Sequence, residues 1–143
     1  MFGQSVRIVM ETKLLTSSSD ITVLKAAKRM AKRKVGAVLI VDNDELVGIF
    51  TERDALFRVI AKGLDPNDTT LAEVMTPTPQ TIDPEKSFGF ALLTMYEKGF
   101  RHLPVIERGK LVGMVSARNA LDPDLEEFVY EAQRRKQILS ERS

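Results

Sequence analysis

Apolar positions along this chain recur at two spacings, three-to-four and two, and the order of those spacings occurs twice. Over residues 21–34, Val23, Leu24, Ala27, Met30 and Ala31 form the apolar stripe of a helix, while Lys25, Lys28, Arg29, Lys32 and Arg33 fill its other face. Ser17-Ser18-Ser19-Asp20 reads as the turn that caps it, and Gly36 as its end. Residues 38–41 are a short apolar, β-branched run, Asp42-Asn43-Asp44 a turn, and residues 46–50 a return strand. A second helix is predicted over 52–62, stopped by Gly63. Ahead of all this, Val6, Ile8 and Met10 alternate as an extended lead-in.

Residues 63–70, with Gly, Pro, Asn and two Asp, read as a linker, after which the plan starts again. Asp83-Pro84 is a cap with proline at the first helical position, and the helix runs to about Lys98, where Gly99 stops it. Strands follow at 103–106 and 111–115 around Arg108-Gly109, then a helix near Ala117 that Pro123 interrupts. The recurrence holds residue by residue. At an offset of 113 − 48 = 65, positions 9–56 fall on 74–121 without a gap, with 11 identities in 48 positions. An ungapped internal repeat means one structural unit used twice. Beyond it, Leu125, Phe128, Val129 and Ala132 make an apolar stripe, with acidic residues at its start and Arg134, Arg135 and Lys136 toward its end, the charge order a helix dipole favours.

The expected organisation is therefore unit 1 at 5–62, a linker at 63–70, unit 2 at 71–122 and a C-terminal helix at 123–143. The fold class is α/β (α+β), each unit reading strand, helix, strand, strand, helix. A unit this small buries too little surface to stand alone, so the two should pack about a pseudo-twofold axis with their sheets face to face.

Composition narrows the function. The chain has 143 residues, 43% hydrophobic, and no run of about 18 apolar residues that would span a membrane. Its start lacks the pattern of a secretory signal, and a cytoplasmic location is expected. Without cysteine there is no disulfide, thiolate metal site or cysteine nucleophile; with one histidine and no metal-spaced cluster, neither a metal site nor an enzyme is expected. A net charge of +1 points away from nucleic acid as a partner, and the basic run at 25–34 has solvent-face spacing without interleaved aromatics.

The chemistry lies in a repeated heptad, Gly48-Ile49-Phe50-Thr51-Glu52-Arg53-Asp54 and Gly113-Met114-Val115-Ser116-Ala117-Arg118-Asn119. It ends a strand and opens a helix, where free N–H groups favour an anion. The hydroxyl of Thr51 or Ser116 suits a phosphate oxygen, and Arg53 or Arg118 its charge. Asp54 offers two acceptor oxygens to the hydroxyls of a ribose, Asn119 only one. The same residues also fit helix caps, Thr51 with Asp54 and Ser116 with Asn119, and a capped helix start is still an anion site. His102, the lone histidine, fits either a structural role or a phosphate contact.

The duplicated βαββα unit and the Gly-Ile-Phe-Thr-Glu-Arg-Asp string resemble a tandem cystathionine-β-synthase (CBS) domain pair, a Bateman module, over roughly residues 5–122. The resemblance implies a disc-like module with two clefts for adenosine-containing ligands, AMP, ADP, ATP or S-adenosylmethionine, and pairing into a homodimer. By position, Thr51 and Asp54 would serve phosphate and ribose in one cleft, with adenine near Thr81 and Ile82. Ser116 and Asn119 would serve the other, with adenine near Leu15 and Thr16. Gly36-Ala37 and Arg101-His102 would line the region where phosphates meet. Asn119 departs from the family's preferred aspartate, so the Asp54 cleft should be the tighter. The implied function is a stand-alone regulatory sensor of an adenine nucleotide, AMP first, acting on an unknown partner protein. The alternative is an interaction or dimerisation module with empty clefts.

Overall fold

The structure is a computed structural model that describes residues 2–120 and 123–142, with side chains described at 2–119 and 131–140. In chain order the elements are α1 (Val6–Val9), β1 (Thr16–Ser17), α2 (Val23–Arg33), β2 (Ala37–Asp42), β3 (Glu45–Thr51), α3 (Glu52–Asp54, running on as a π-helical stretch Ala55–Ile60), α4 (Leu71–Val74), β4 (Thr76–Pro77), α5 (Phe88–Lys98), β5 (His102–Glu107), β6 (Lys110–Ser116), a 3-10 turn (Ala117–Ala120) and α6 (Pro123–Arg142).

Both hairpins form as the apolar runs predict, β2 with β3 and β5 with β6, each with a register shift at the same place, Ile40/Val41 and Val105/Ile106. Their turns place two successive residues at positive φ, Asn43 and Asp44 in one, Arg108 and Gly109 in the other, the geometry that matches strand twist. β1 adds in parallel to β2. The two sheets meet face to face, Ala37, Leu39 and Ile49 packing with Leu14, Leu111 and Met114.

The lead-in segments change places. Leu71 and Val74 of α4 are buried in the core of unit 1, with Val23, Met30 and Phe50. Val6 of α1 is buried in the core of unit 2, with Met95, Leu103 and Val115. Backbone bonds repeat the exchange at the 65-residue offset. Leu71 N donates to Ile21 O and Ala72 N to Ser19 O, both at 2.9 Å; Val6 N donates to Lys86 O at 2.8 Å and Arg7 N to Pro84 O at 2.9 Å. β4 then pairs with β3, and Glu11 bridges Met114 of β6 in the equivalent place. Each unit's sheet is thus completed by the segment that leads into the other, which ties the two into one body.

The exchange accounts for the glycine that opens each heptad. A Cβ on Gly48 would run into the Sδ of Met75, and one on Gly113 would stand 2.6 Å from the Sδ of Met10. Both methionines sit on the crossing segments, so glycine leaves room for a partner side chain.

Several local expectations are corrected. Residues 6–9 form a helical turn rather than a strand, with Ile8 exposed. The cap of α2 is Thr22, whose hydroxyl accepts from Lys25 N, not residues 17–20. Ala26 is buried on α2 where Ala31 is exposed. The helix ends on Lys34 in the left-handed conformation, before Gly36. Asp83-Pro84 does not open α5. It forms a turn that receives α1, and the cap is Ser87, the repeat mate of Thr22. Pro123 opens α6 rather than only interrupting a helix, as proline at a first helical position can. Of the expected stripe on α6, Leu125, Phe128 and Val129 lie outside the described residues, and Ala132 is exposed.

Candidate functional site

The end of β3 and the start of α3 bring Thr51 and Asp54 together as a two-way capping box. Asp54 N donates to Thr51 Oγ1 at 3.3 Å, and Asp54 Oδ2 accepts from Thr51 N at 2.9 Å and Thr51 Oγ1 at 3.1 Å. One carboxylate oxygen is therefore consumed locally. The other, Oδ1, faces Thr76 Oγ1 at 3.4 Å and Arg58 Nε at 3.5 Å, contacts long enough for a better-placed donor to displace. The carboxylate is buried, at 8% exposure for the residue.

Ser116 and Asn119 repeat the half of the arrangement in which the side chain three residues on accepts. Asn119 Oδ1 accepts from Ser116 N at 2.8 Å and from Ser116 Oγ at 3.0 Å. The only acceptor of the amide is then spent, and the group left over is an NH2 donor. The two sites share a cap and differ in the sign of what they can offer a ligand.

Asp54 stands in a cleft of about 950 Å³ between the two units. One wall is Ile49 and residues 51–54 and 56–58 of unit 1. The lead-in to unit 2 contributes Thr76, Thr78, Pro79 and Gln80. The opposite wall is Gly99, Phe100, Arg101 and His102. Thr51, Arg53, Asp54, Arg101 and His102 are thus brought together. Thr81 and Ile82 are not among the lining residues: Thr81 is exposed and Ile82 is buried in the core of unit 2, bridged to Val105. The part of the lead-in that faces the cleft is Thr76 and residues 78–80. Ala37 is buried between the sheets, Leu15 is in the core of unit 1, and Thr16 and Arg118 are exposed. Gly36 lies under the Glu52 side chain, an added Cβ standing 2.9 Å from Glu52 Oε1.

The cations of the cleft differ in freedom. Arg58 donates to Met75 O at 3.1 Å and Val74 O at 3.5 Å, holding the crossing segment. Arg53 donates to Gly99 O at 3.3 Å, with its guanidinium 5.3 Å from the Phe57 ring. Arg101 is exposed, with no side-chain ion pair or hydrogen bond among the described residues. Burial pushes the His102 pKa below 6.5, the Glu52 and Asp54 carboxylates opposing that and Arg101 adding to it. The imidazole is therefore neutral near pH 7.

Sequence reasoning missed Arg58, Thr76, Thr78, Gln80, Phe57 and Phe100. Arg58 lies past the end of the repeat, where its counterpart is Pro123, though its four-residue spacing from Asp54 was a usable signal. Among the described residues no group of His, Cys, Asp and Glu could hold a metal, and no helix is long and apolar enough to cross a membrane.

Known proteins share the fold. A family model described as CBS domain matches residues 6–61 and again 71–124. The CBS domain-containing protein CBSCBSPB2 of Arabidopsis thaliana is 38% identical over 119 residues, 82% of this chain and 22% of the relative. The chain spans about a fifth of the length of the Arabidopsis relatives it matches. Among solved structures, an uncharacterized conserved protein from Pyrococcus horikoshii superposes with a TM-score of 0.79 at 30% identity, covering 85% of this chain and 92% of that one. The CBS domain pair of protein MJ0100, solved with 5-methylthioadenosine and S-adenosyl-L-methionine, superposes with a TM-score of 0.71 at 28% identity, covering 82% and 92%.

Proposed function

The chain belongs to the CBS-domain family, and from that premise we propose that it is a regulatory module that takes an adenosine-containing ligand into the cleft between its units. The observation that carries the reading is Oδ1 of Asp54, held only by the long contacts to Thr76 Oγ1 at 3.4 Å and Arg58 Nε at 3.5 Å. A buried carboxylate with one oxygen fixed by its own helix cap and the other turned to a cleft is a rigid acceptor for ribose hydroxyls. The adenosine ligands of the MJ0100 pair support the ligand class.

Charge selects within the class. Arg53 and Arg58 are tied to protein oxygens, His102 is neutral, and Arg101 remains for an anion. One phosphate matches that provision better than three, so AMP is the favoured ligand, ahead of ADP and ATP, with S-adenosylmethionine as the cationic alternative. Binding shifts the packing of the module and so reports a metabolite level to a partner protein. The second cleft, with the donor amide of Asn119 in place of a carboxylate, takes the same ligand more weakly or not at all.

A thermal-shift screen of nucleotide-free protein against AMP, ADP, ATP, GTP, NAD and S-adenosylmethionine tests this. At a hundred times its Kd a ligand adds about 2.7 kcal/mol, which raises Tm by several degrees. A rise confined to adenosine ligands and greatest for AMP is expected. No rise with any of them contradicts the sensor reading and leaves a module whose clefts bind nothing.

A further inference from the structure

Glu52 lies in the heptad between Thr51 and Asp54, and the cap does not use its side chain. Thr51 and Asp54 bond each other, whereas the Glu52 carboxylate makes no hydrogen bond or ion pair among the described residues. It lines the cleft nonetheless. Gly36 makes the room: the carboxylate lies where a side chain there would begin, Oε1 standing 2.9 Å from the position of a Cβ. Its charge is felt across the cleft. Burial lowers the His102 pKa, and of the charged groups that act on the imidazole Glu52 acts most strongly, ahead of Arg101 and Asp54.

The helix start beside Glu52 has little left for an anion. Thr51 N donates to Asp54 Oδ2 at 2.9 Å, Glu52 N to Gly36 O at 3.0 Å and Asp54 N to Thr51 Oγ1 at 3.3 Å, so these backbone donors are already taken. Arg53 and Arg58 are tied to carbonyl oxygens as well. A phosphate in the cleft therefore meets one uncommitted guanidinium, Arg101, and one uncommitted carboxylate, Glu52. The fold does not require this pair. At the 65-residue offset Ala117 stands in the place of Glu52, and Gly36 in the place of Arg101.

Resting on the reading of this cleft as an adenosine-ligand site, we infer that Glu52 is its specificity-determining residue, a negative charge that admits an adenosine with one phosphate and repels one with a longer phosphate chain. Arg101 supplies the attraction for a phosphate, and Glu52 limits how many are accepted. Each further phosphate adds negative charge that no other free cation of the cleft meets. Discrimination of this kind needs a repulsive element set against the wrong ligand, not only contacts to the right one. Glu52 is exposed, so water screens the repulsion. About threefold in affinity for each added phosphate is the expected size, accumulating along the chain.

Calorimetric titration of adenosine, AMP, ADP and ATP into the nucleotide-free full chain tests this, in EDTA so that no divalent cation masks the phosphates. In the wild type, affinity should fall from AMP through ADP to ATP. Glu52→Gln keeps the size of the side chain and removes its charge. It should improve ADP about threefold and ATP about tenfold relative to AMP. Glu52→Lys should go further and bring ATP level with AMP or above it, whereas a merely structural role for Glu52 would move all the phosphorylated ligands together. Circular dichroism checks that each variant is folded. The same ratio of AMP to ATP affinity in wild type and Glu52→Gln, or a wild type that prefers ATP, overturns the inference and leaves the adenosine site standing. A folded wild type that binds none of the four also overturns it, and if S-adenosylmethionine fails to bind as well, the adenosine reading falls with it.

Discussion

Asp54 and Asn119 make the same bond to the residue three positions before them: Oδ2 of Asp54 accepts from Thr51 N at 2.9 Å, and Oδ1 of Asn119 from Ser116 N at 2.8 Å. That bond is thus made equally by carboxylate and amide, and the residue type decides what the remaining side-chain atom meets, which for Asp54 Oδ1 is Thr76 and Arg58.

Asp54→Asn should accordingly keep the capping box and lose the cleft acceptor. Stability should change little, while AMP affinity falls by the worth of a charged hydrogen bond, about 1.5–3 kcal/mol, or roughly tenfold to a hundredfold. Asp54→Ala should lose the cap as well, costing about 1 kcal/mol of stability. Asn119→Asp should strengthen binding at the second site. Calorimetric titration with AMP, run beside a thermal melt, reads both effects.

Gly48 and Gly113 should resist enlargement for packing reasons. Alanine at either position overpacks a crossing methionine, at about 1–3 kcal/mol. Gly113→Ala should cost more, because the Glu11 carbonyl oxygen, 3.1 Å from the added Cβ, is backbone and cannot swing away. Met75→Ala should offset part of the cost of Gly48→Ala. Urea unfolding of the two single variants and the double variant measures that coupling, and strict additivity would argue against the contact.

Arg58 holds the crossing segment by the Val74 and Met75 carbonyl oxygens. Arg58→Leu keeps the apolar stem and removes those bonds, so a stability loss of about 1–2 kcal/mol is expected. The loss should appear in melts without ligand. An unchanged Tm would show that the guanidinium does not hold the segment.

His102 gives the pH dependence a sign. Its folded pKa lies below 6.5, so between the two values the unfolded chain binds more protons than the folded one. The neutral imidazole's contribution is fully present above about pH 6.5 and declines as pH falls through 6.5 toward the folded pKa. Tm measured from pH 8 to pH 5 should drop at the acid end, and His102→Gln should flatten that part of the curve. A phosphate beside the imidazole favours its charged form, so AMP should also take up protons on binding below pH 7.

The repeat made the fold readable, because hairpins with β-branched runs and tight turns announce themselves locally. It could not say which copy of a segment packs on which core. Val6 and Leu71 look alike at the 65-residue offset, and only the folded chain puts each in the other unit's core. Asp83-Pro84 misled for the same reason: a pair that could open a helix is used as a turn that receives α1 from 78 residues away in sequence. The site was legible where its residues lie within one heptad, Thr51 through Asp54. It was not where the walls come from loops without periodicity, as with Thr76 and Gln80.

The most direct test of the account is calorimetric titration of AMP into nucleotide-free wild-type protein and into Asp54→Asn. The account predicts saturable binding to the wild type, weakened by about tenfold or more in a variant that melts within a degree or two of it. The same Kd in both proteins, or no saturable binding to folded wild type by AMP, ADP, ATP or S-adenosylmethionine, would contradict it.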